Sequence, residues 1–324
     1  MNNHILFGYQ LDGKGGGKSL LNNRGYEETK SNSGIVWTHL DANHNGTRPW
    51  LDKEISSIDP YIVDALLANE TRPRFIQIQD GVLIILRGMN LNKNDTPEDM
   101  ISIRLWVEKN RIISVRLRSL QVMDDIVANI ESKIGPKNAG DFVTNLIAKL
   151  SNRMESVLLD LDDKLVDIEE QIIDKADIAL REAIIDTRKQ AIIFRRYIVP
   201  QRDVVEQLRL SSLSWIDVKH KRYLVEVYNH IVRYIEDLEE ARDRSQVVKD
   251  ELSNALSDKL NKNMYFLAVI AAIFLPLSFL TGLLGINVAG IPGSNNANAF
   301  WIFSIGLALI VAIQIFLFKK LKWI

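Results

Sequence analysis

Two charge-free apolar runs constrain this chain more than any other feature. MYFLAVIAAIFLPLSFLTGLL, Met264 to Leu284, is 21 residues long, and FWIFSIGLALIVAIQIFLF, Phe300 to Phe318, is 19. A helix needs about 20 mostly apolar residues to cross a bilayer. Both runs are apolar on every face and stand together at one end, unlike the core helices of a soluble domain. The sequence before them reads as water-soluble. The expected organisation is an α/β domain over 1–140, long helices over 141–263, a first span over 264–284, a loop over 285–299, a second span over 300–318 and a tail over 319–324.

Charge orients the spans. Lys259 and Lys262 precede the first, and Lys319, Lys320 and Lys322 follow the second, while the loop carries no Lys or Arg. Positive charge stays on the cytoplasmic side, which puts the loop outside and both termini in the cytoplasm. Trp301 and Trp323 stand near span ends, where amphipathic rings favour the interface. No cleavable leader is expected, since Ile5-Leu6-Phe7 is too short an apolar segment.

The soluble part begins with strand-like stretches: HILFGYQL (4–11), GIVWTHLD (34–41), FIQIQ (75–79), VLIILRGM (82–89), ISIRLWVE (101–108) and RIISVRLR (111–118). Asp59-Pro60 opens a helix, and VMDDIVANIESKI reads as another. After Gly140 the pattern turns to long helices, near 141–176, 177–210 and from Asp217 onward. The third shows an apolar stripe at alternating steps of three and four: Leu224, Val227, Ile231, Tyr234, Leu238, Ala241, Ser245, Val248, Leu252 and Ala255. Continued through Gly282, it makes one rod about 100 Å long.

Several chemistries are excluded or disfavoured. The 40 basic and 41 acidic residues argue against nucleic-acid binding, and the absence of cysteine excludes disulfides and thiolate zinc sites. DGKGGGKS, Asp12 to Ser19, imitates a phosphate loop, but Asp12 stands where that loop needs its first glycine, and LLNNRGYEE is a poor helix start. The expectation there is a Gly-rich hairpin or loop. The five histidines have no metal-ligand spacing, and no nucleophile–base set appears, so no enzyme and no resident cofactor are expected. Eleven carboxylates from Glu155 to Asp186 against three basic residues form either a cation-concentrating surface or a solvated helix face.

The loop TGLLGINVAGIPGSNNANA, Thr281 to Ala299, contains no charge in a chain that is 25% charged. In the run before it, Met264, Ala268, Ala271, Leu275, Ser278, Gly282 and Gly285 form a small, weakly polar stripe, and Phe266, Ile270, Ile273, Leu277, Leu280 and Leu284 a bulky one. The small stripe fits either the wall of a narrow bore or tight packing against the second span. Gly282, Gly285 and Asn287 favour the bore, because glycine at a helix end permits left-handed backbone and exposes the last carbonyls. With Asn287 amide oxygens, these offer neutral ligands to a hydrated cation, which must also be able to leave.

Gly285-Ile286-Asn287 at the end of the first of two spans resembles the G-M-N hallmark of the CorA superfamily of divalent-cation transporters. The aliphatic middle residue is similar to the zinc-transporting branch, the ZntB family. So are ETRPRF (70–75), RRYIVPQRDV (195–204), IFLPLSFLTGLLGIN (273–287), GIPG (290–293) and the terminal KWI. Unlike the magnesium channels, the loop has no acidic residue after the tripeptide. The resemblance implies a CorA-like homopentamer in the bacterial inner membrane, with a funnel-shaped cytoplasmic domain and a pore helix. Its selectivity ring would be Gly285, Ile286 and Asn287, with Asn287 meeting the hydrated metal. Asn261 joins the pore stripe at its cytoplasmic end, with Met264, Leu275 and Ser278 as narrow points. The expected function is Zn²⁺ transport, as proton-coupled uptake. The expected partners are further copies of the chain, membrane lipids and divalent cations. The alternatives are a Mg²⁺/Co²⁺ channel of the same fold and a membrane-anchored sensor.

Overall fold

The computed structural model describes residues 4–20, 34–55, 59–93, 95–286, 291, 293 and 296–321. In chain order these form β1 (Ile5–Leu11), β2 (Gly17–Ser19), β3 (Ile35–Asp41), α1 (Thr47–Glu54), α2 (Pro60–Leu67), β4 (Arg74–Ile78), β5 (Gly81–Gly88), β6 (Ile101–Glu108), β7 (Arg111–Arg116), α3 (Gln121–Glu131), α4 (Ala139–Lys175), α5 (Leu180–Leu210), α6 (Val218–Leu284) and α7 (Ala299–Lys320). Contacts divide the chain into two compact units. One is Met1–Asp174 with Ala179–Lys249, and the other is Lys175–Ile178 with Asp250–Ile324.

The first unit is built on one mixed sheet of order β2-β1-β3-β7-β6-β5-β4. Among the described strands only the β3–β7 pair is parallel. The central strands are buried on both faces, which explains their continuous apolar runs. Val82, Ile84, Ile103, Leu105 and Trp37 face the core shared with α3 to α6. Leu83, Ile85, Trp106 and Ile113 face the smaller core beneath α1 and α2. The α2 start is as the sequence specifies: the Asp59 side chain accepts the Tyr61 N–H at 2.9 Å, and Pro60 follows it.

The apolar stripe of α6 is buried from Leu224 to Leu252, Ser245 included, and Ala255 is half-buried. The Ser245 hydroxyl donates back to the Ala241 carbonyl at 2.6 Å, so it enters the seam without an unpaired donor. Arg244 on α6 ties this helix to α4, reaching Glu169 Oε2 at 2.6 Å and Asp162 Oδ1 at 2.9 Å. Arg195 on α5 reaches Glu239 on α6. The two Arg244 pairs draw on the acidic stretch 155–186, which therefore meets an α6 arginine as well as solvent.

Candidate functional site

The second unit holds the two membrane-length helical segments, and none of the residues in their most apolar windows is buried in the single chain. The half-buried positions of α6 here are Val269, Ala272, Ile273, Pro276, Leu277 and Leu280. Those of α7 include Phe303, Leu307, Val311, Gln314 and Phe318. Each set recurs at helical spacing, and the two meet where Gln314 Nε2 donates to the Ala272 carbonyl.

The small stripe lies elsewhere on α6. Asn261, Met264, Ala268, Ala271, Leu275, Ser278 and Gly282 are all exposed, Met264 and Leu275 by 68% and 70%. Within the single chain the stripe therefore does not pack against the second span, one of the two readings open in the sequence. On the bulky stripe Ile273, Leu277 and Leu280 are half-buried, while Phe266, Ile270 and Leu284 remain exposed.

Helix α6 ends at Leu284. The Gly285 N–H still donates to the Thr281 and Gly282 carbonyls, at 2.9 and 3.2 Å. The left-handed backbone anticipated at this helix end is not present at Gly282 or Gly285; among the described residues the positive-φ glycines are Gly13, Gly15 and Gly293. Glycine is needed at 285 for another reason: a Cβ there would come within 2.8 Å of the Thr281 carbonyl oxygen. Thr281 Oγ1 donates to the Leu277 carbonyl at 2.9 Å, which leaves that hydroxyl folded back on the helix. Ile286 is 49% exposed. Asn287, Pro292, Lys322 and Trp323 lie outside the described residues.

The disfavoured motifs resolve plainly. Gly17–Ser19 pairs with β1 as a strand and does not open a helix, and Asp12 Oδ1 accepts the N–H groups of Lys14 and Gly16 at 2.7 and 2.9 Å. This is a hairpin turn with its own carboxylate in the place a phosphate would need. His39 is fully buried, stacked on Phe7 at 4.6 Å and bonded through Nδ1 to Ser114 Oγ at 2.7 Å; burial pulls it down to about 3. His220 accepts the Asp217 N–H at Nδ1, so its Nε2–H is left to donate to Asp141 at 2.9 Å. Among the described residues no group of three or more His, Cys, Asp or Glu could hold a metal. A cleft of about 340 Å³ between α4 and α6 is lined by Glu155, Asp162, Asp237 and Glu240, with Arg233 and Arg244 among them. Burial pushes the Asp237 carboxyl up, and the cluster is partly self-neutralised.

Comparison with known proteins decides the family. A model of the CorA-like Mg²⁺ transporter protein family matches residues 32–320. The chain belongs to the CorA-like family. It is 33% identical to the divalent cation transporter CmaX of Pseudomonas aeruginosa, over 99% of this chain and 97% of that one. It is 32% identical to the zinc transport protein ZntB of Yersinia enterocolitica, over 98% and 96%. The solved full-length CmaX superposes with a TM-score of 0.83 at 32% identity, covering 98% of each chain. The CorA magnesium transporter of Methanocaldococcus jannaschii shares the fold, with a TM-score of 0.81 at 18% identity over 98% of this chain and 99% of that one. A CorA-like chain of this kind is a divalent-cation transporter, and its two apolar helices fit that role.

Sequence reasoning passed over Gln314. Its signal was available as the one polar side chain between Ile305 and Phe318. Reading α7 as a uniform apolar run hid it.

Proposed function

We propose that this protein takes up Zn²⁺ across a bacterial inner membrane, as a homopentamer whose α6 helices surround a central path, with both termini cytoplasmic. The observation that carries the reading is the uncovered small stripe on α6, Asn261 to Gly282. Small, weakly polar side chains gain little from lipid, but turned toward the same stripe on other copies they enclose a narrow bore. Two spans cannot surround water alone, so the bore needs a ring of chains. Gly285, Ile286 and Asn287 would close that ring at the outer mouth. Neutral oxygens there attract a hydrated cation without the grip of thiolate or imidazole, so the ion can leave. The aliphatic Ile286 and the relatives named zinc transport protein support zinc as the cargo.

A second reading, a Mg²⁺/Co²⁺ channel, is supported by the family's description and by CmaX, which is named only for divalent cations. Proteoliposomes holding a zinc or magnesium dye, with a pH gradient imposed in either direction, separate the two. Zn²⁺ entry that follows an inward proton gradient and resists Mg²⁺ competition is expected. Mg²⁺ entry indifferent to the gradient would establish the second reading. A native mass of monomer or dimer, under conditions where flux persists, would overturn the pentamer.

A further inference from the structure

Pro276 stands inside α6, within its apolar run. Proline has no N–H, so the carbonyl four residues earlier, that of Ala272, loses its helical donor. The same loss occurs in α5, where Pro200 frees the carbonyl of Arg196, but Arg196 is exposed and water can take the vacant place. A bilayer core offers no water, and the missing bond must be replaced by protein.

The replacement comes from the other span. Gln314 on α7 donates from Nε2 to the Ala272 oxygen at 3.4 Å, the long end of hydrogen-bond geometry. Its Oε1 is buried and has no partner among the described residues. Burying an amide with one end unpaired is costly where leucine would pack freely. What the side chain gains is contact with the carbonyl that Pro276 releases. We infer that Gln314 is a positioning residue for transport: it caps the Ala272 carbonyl, holds the bend of α6 at Pro276, and so fixes Leu275 on the candidate ion path. This rests on the transport reading of α6.

The test is a double-mutant cycle with P276A, which restores the N–H that Ala272 lacks. Q314L and Q314M remove the donor while filling the space. Zn²⁺ and Mg²⁺ flux into dye-loaded proteoliposomes should change by about three-fold or more in the Pro276 background, the scale of an average interhelical bond in a membrane, and not at all in P276A. The chain has no cysteine, so nitroxides on single cysteines introduced at the exposed Leu267 and Leu283 report the bend as a spin–spin distance, with labelled chain diluted into unlabelled. That distance should shift with Q314L only when Pro276 is present. If Q314L alone fails to assemble, restoration of assembly by P276A supports the same tie. Equal effects in both backgrounds, or none in either, would overturn it. Coupled distances in a protein that carries neither cation would uphold the tie and remove the transport reading instead.

Discussion

Gln201 Oε1 accepts the Arg87 backbone N–H at 2.8 Å, where β4 has ended and β5 runs on. Here α5 completes a strand edge that has no neighbouring strand. The Arg87 side chain continues the junction: Nη2 donates to the Thr71 carbonyl at 2.7 Å, and the guanidinium lies 4.6 Å above the Tyr197 ring. Thr71 belongs to ETRPRF, and Tyr197 and Gln201 to RRYIVPQRDV, so two stretches far apart in sequence meet on one arginine. Gln201→Leu would leave a partly buried N–H unpaired and should cost about 1 kcal/mol or more. Thermal melting of the detergent-solubilised protein should show that loss, with Zn²⁺ flux per assembled protein retained.

The readable parts were those whose signal is local and repeated. The 3–4 stripe of α6 carries its period over many residues, and β5 to β7 show as runs rich in β-branched and apolar residues between turns. Asp59-Pro60 marks α2 by capping chemistry alone. By contrast α1 was missed, because Gly46 supplies no capping side chain and Pro49 falls in its first turn. β2 was missed as a strand because three exposed residues of GKS carry no alternation, although its hairpin was anticipated. For the site, periodicity identified the small stripe on α6 but left open what faced it. Which stripe meets α7 depends on contacts between distant residues. The Gln314–Ala272 tie is similarly invisible to any pattern within one helix.

Buried His39 should make the fold acid-sensitive. In the unfolded chain its ring takes a proton near pH 6.5, whereas in the fold burial holds it down to about 3. Between these values the unfolded state binds more protons, so this contribution is complete above about pH 6.5 and declines as pH falls toward 3. His39→Leu should remove up to one proton from that slope, about 1.4 kcal/mol per pH unit. Unfolding midpoints across the acid range would reveal it; an unchanged slope would mean that the ring is protonated in the fold.

Gly140 and Gly282 should behave oppositely. A Cβ at Gly140 would meet both the Trp215 carbonyl oxygen and the His220 ring at 2.5 Å, and the first is backbone that cannot step aside. Gly140→Ala should lose about 1–3 kcal/mol by overpacking. A Cβ at Gly282 meets nothing within 4 Å in the single chain. Gly282→Ala should therefore leave chain stability intact, and any fall in flux or oligomer mass must arise from another copy or from the ion. Normal flux and assembly would remove Gly282 from the path.

Leu275 is 70% exposed on the stripe and immediately precedes Pro276. An apolar ring of such residues stops ions by excluding water. Leu275→Ser should raise resting leak of Zn²⁺ into proteoliposomes several-fold, with an unchanged size-exclusion profile. An unaltered leak would place the barrier at another level.

Asn287 tests the selectivity ring itself. Its amide has a carbonyl acceptor and an NH₂ donor, so it can face a hydrated ion and brace a neighbouring backbone together. Asn287→Ala removes both without burying a charge, so assembly should persist while Zn²⁺ flux falls to near zero. Asn287→Asp keeps the shape but brings up to five carboxylates together in the proposed pentamer. Their mutual repulsion makes ionisation depend on pH, and those that ionise would hold Zn²⁺ and slow its exit. Flux in Asn287→Asp should therefore be impaired and pH-dependent, where that of Asn287→Ala is simply lost. Zinc-dye fluorescence in proteoliposomes distinguishes the three proteins, with size exclusion as the check on assembly. Wild-type flux from an intact Asn287→Ala assembly would move selectivity away from Gly285-Ile286-Asn287 and onto the stripe below it.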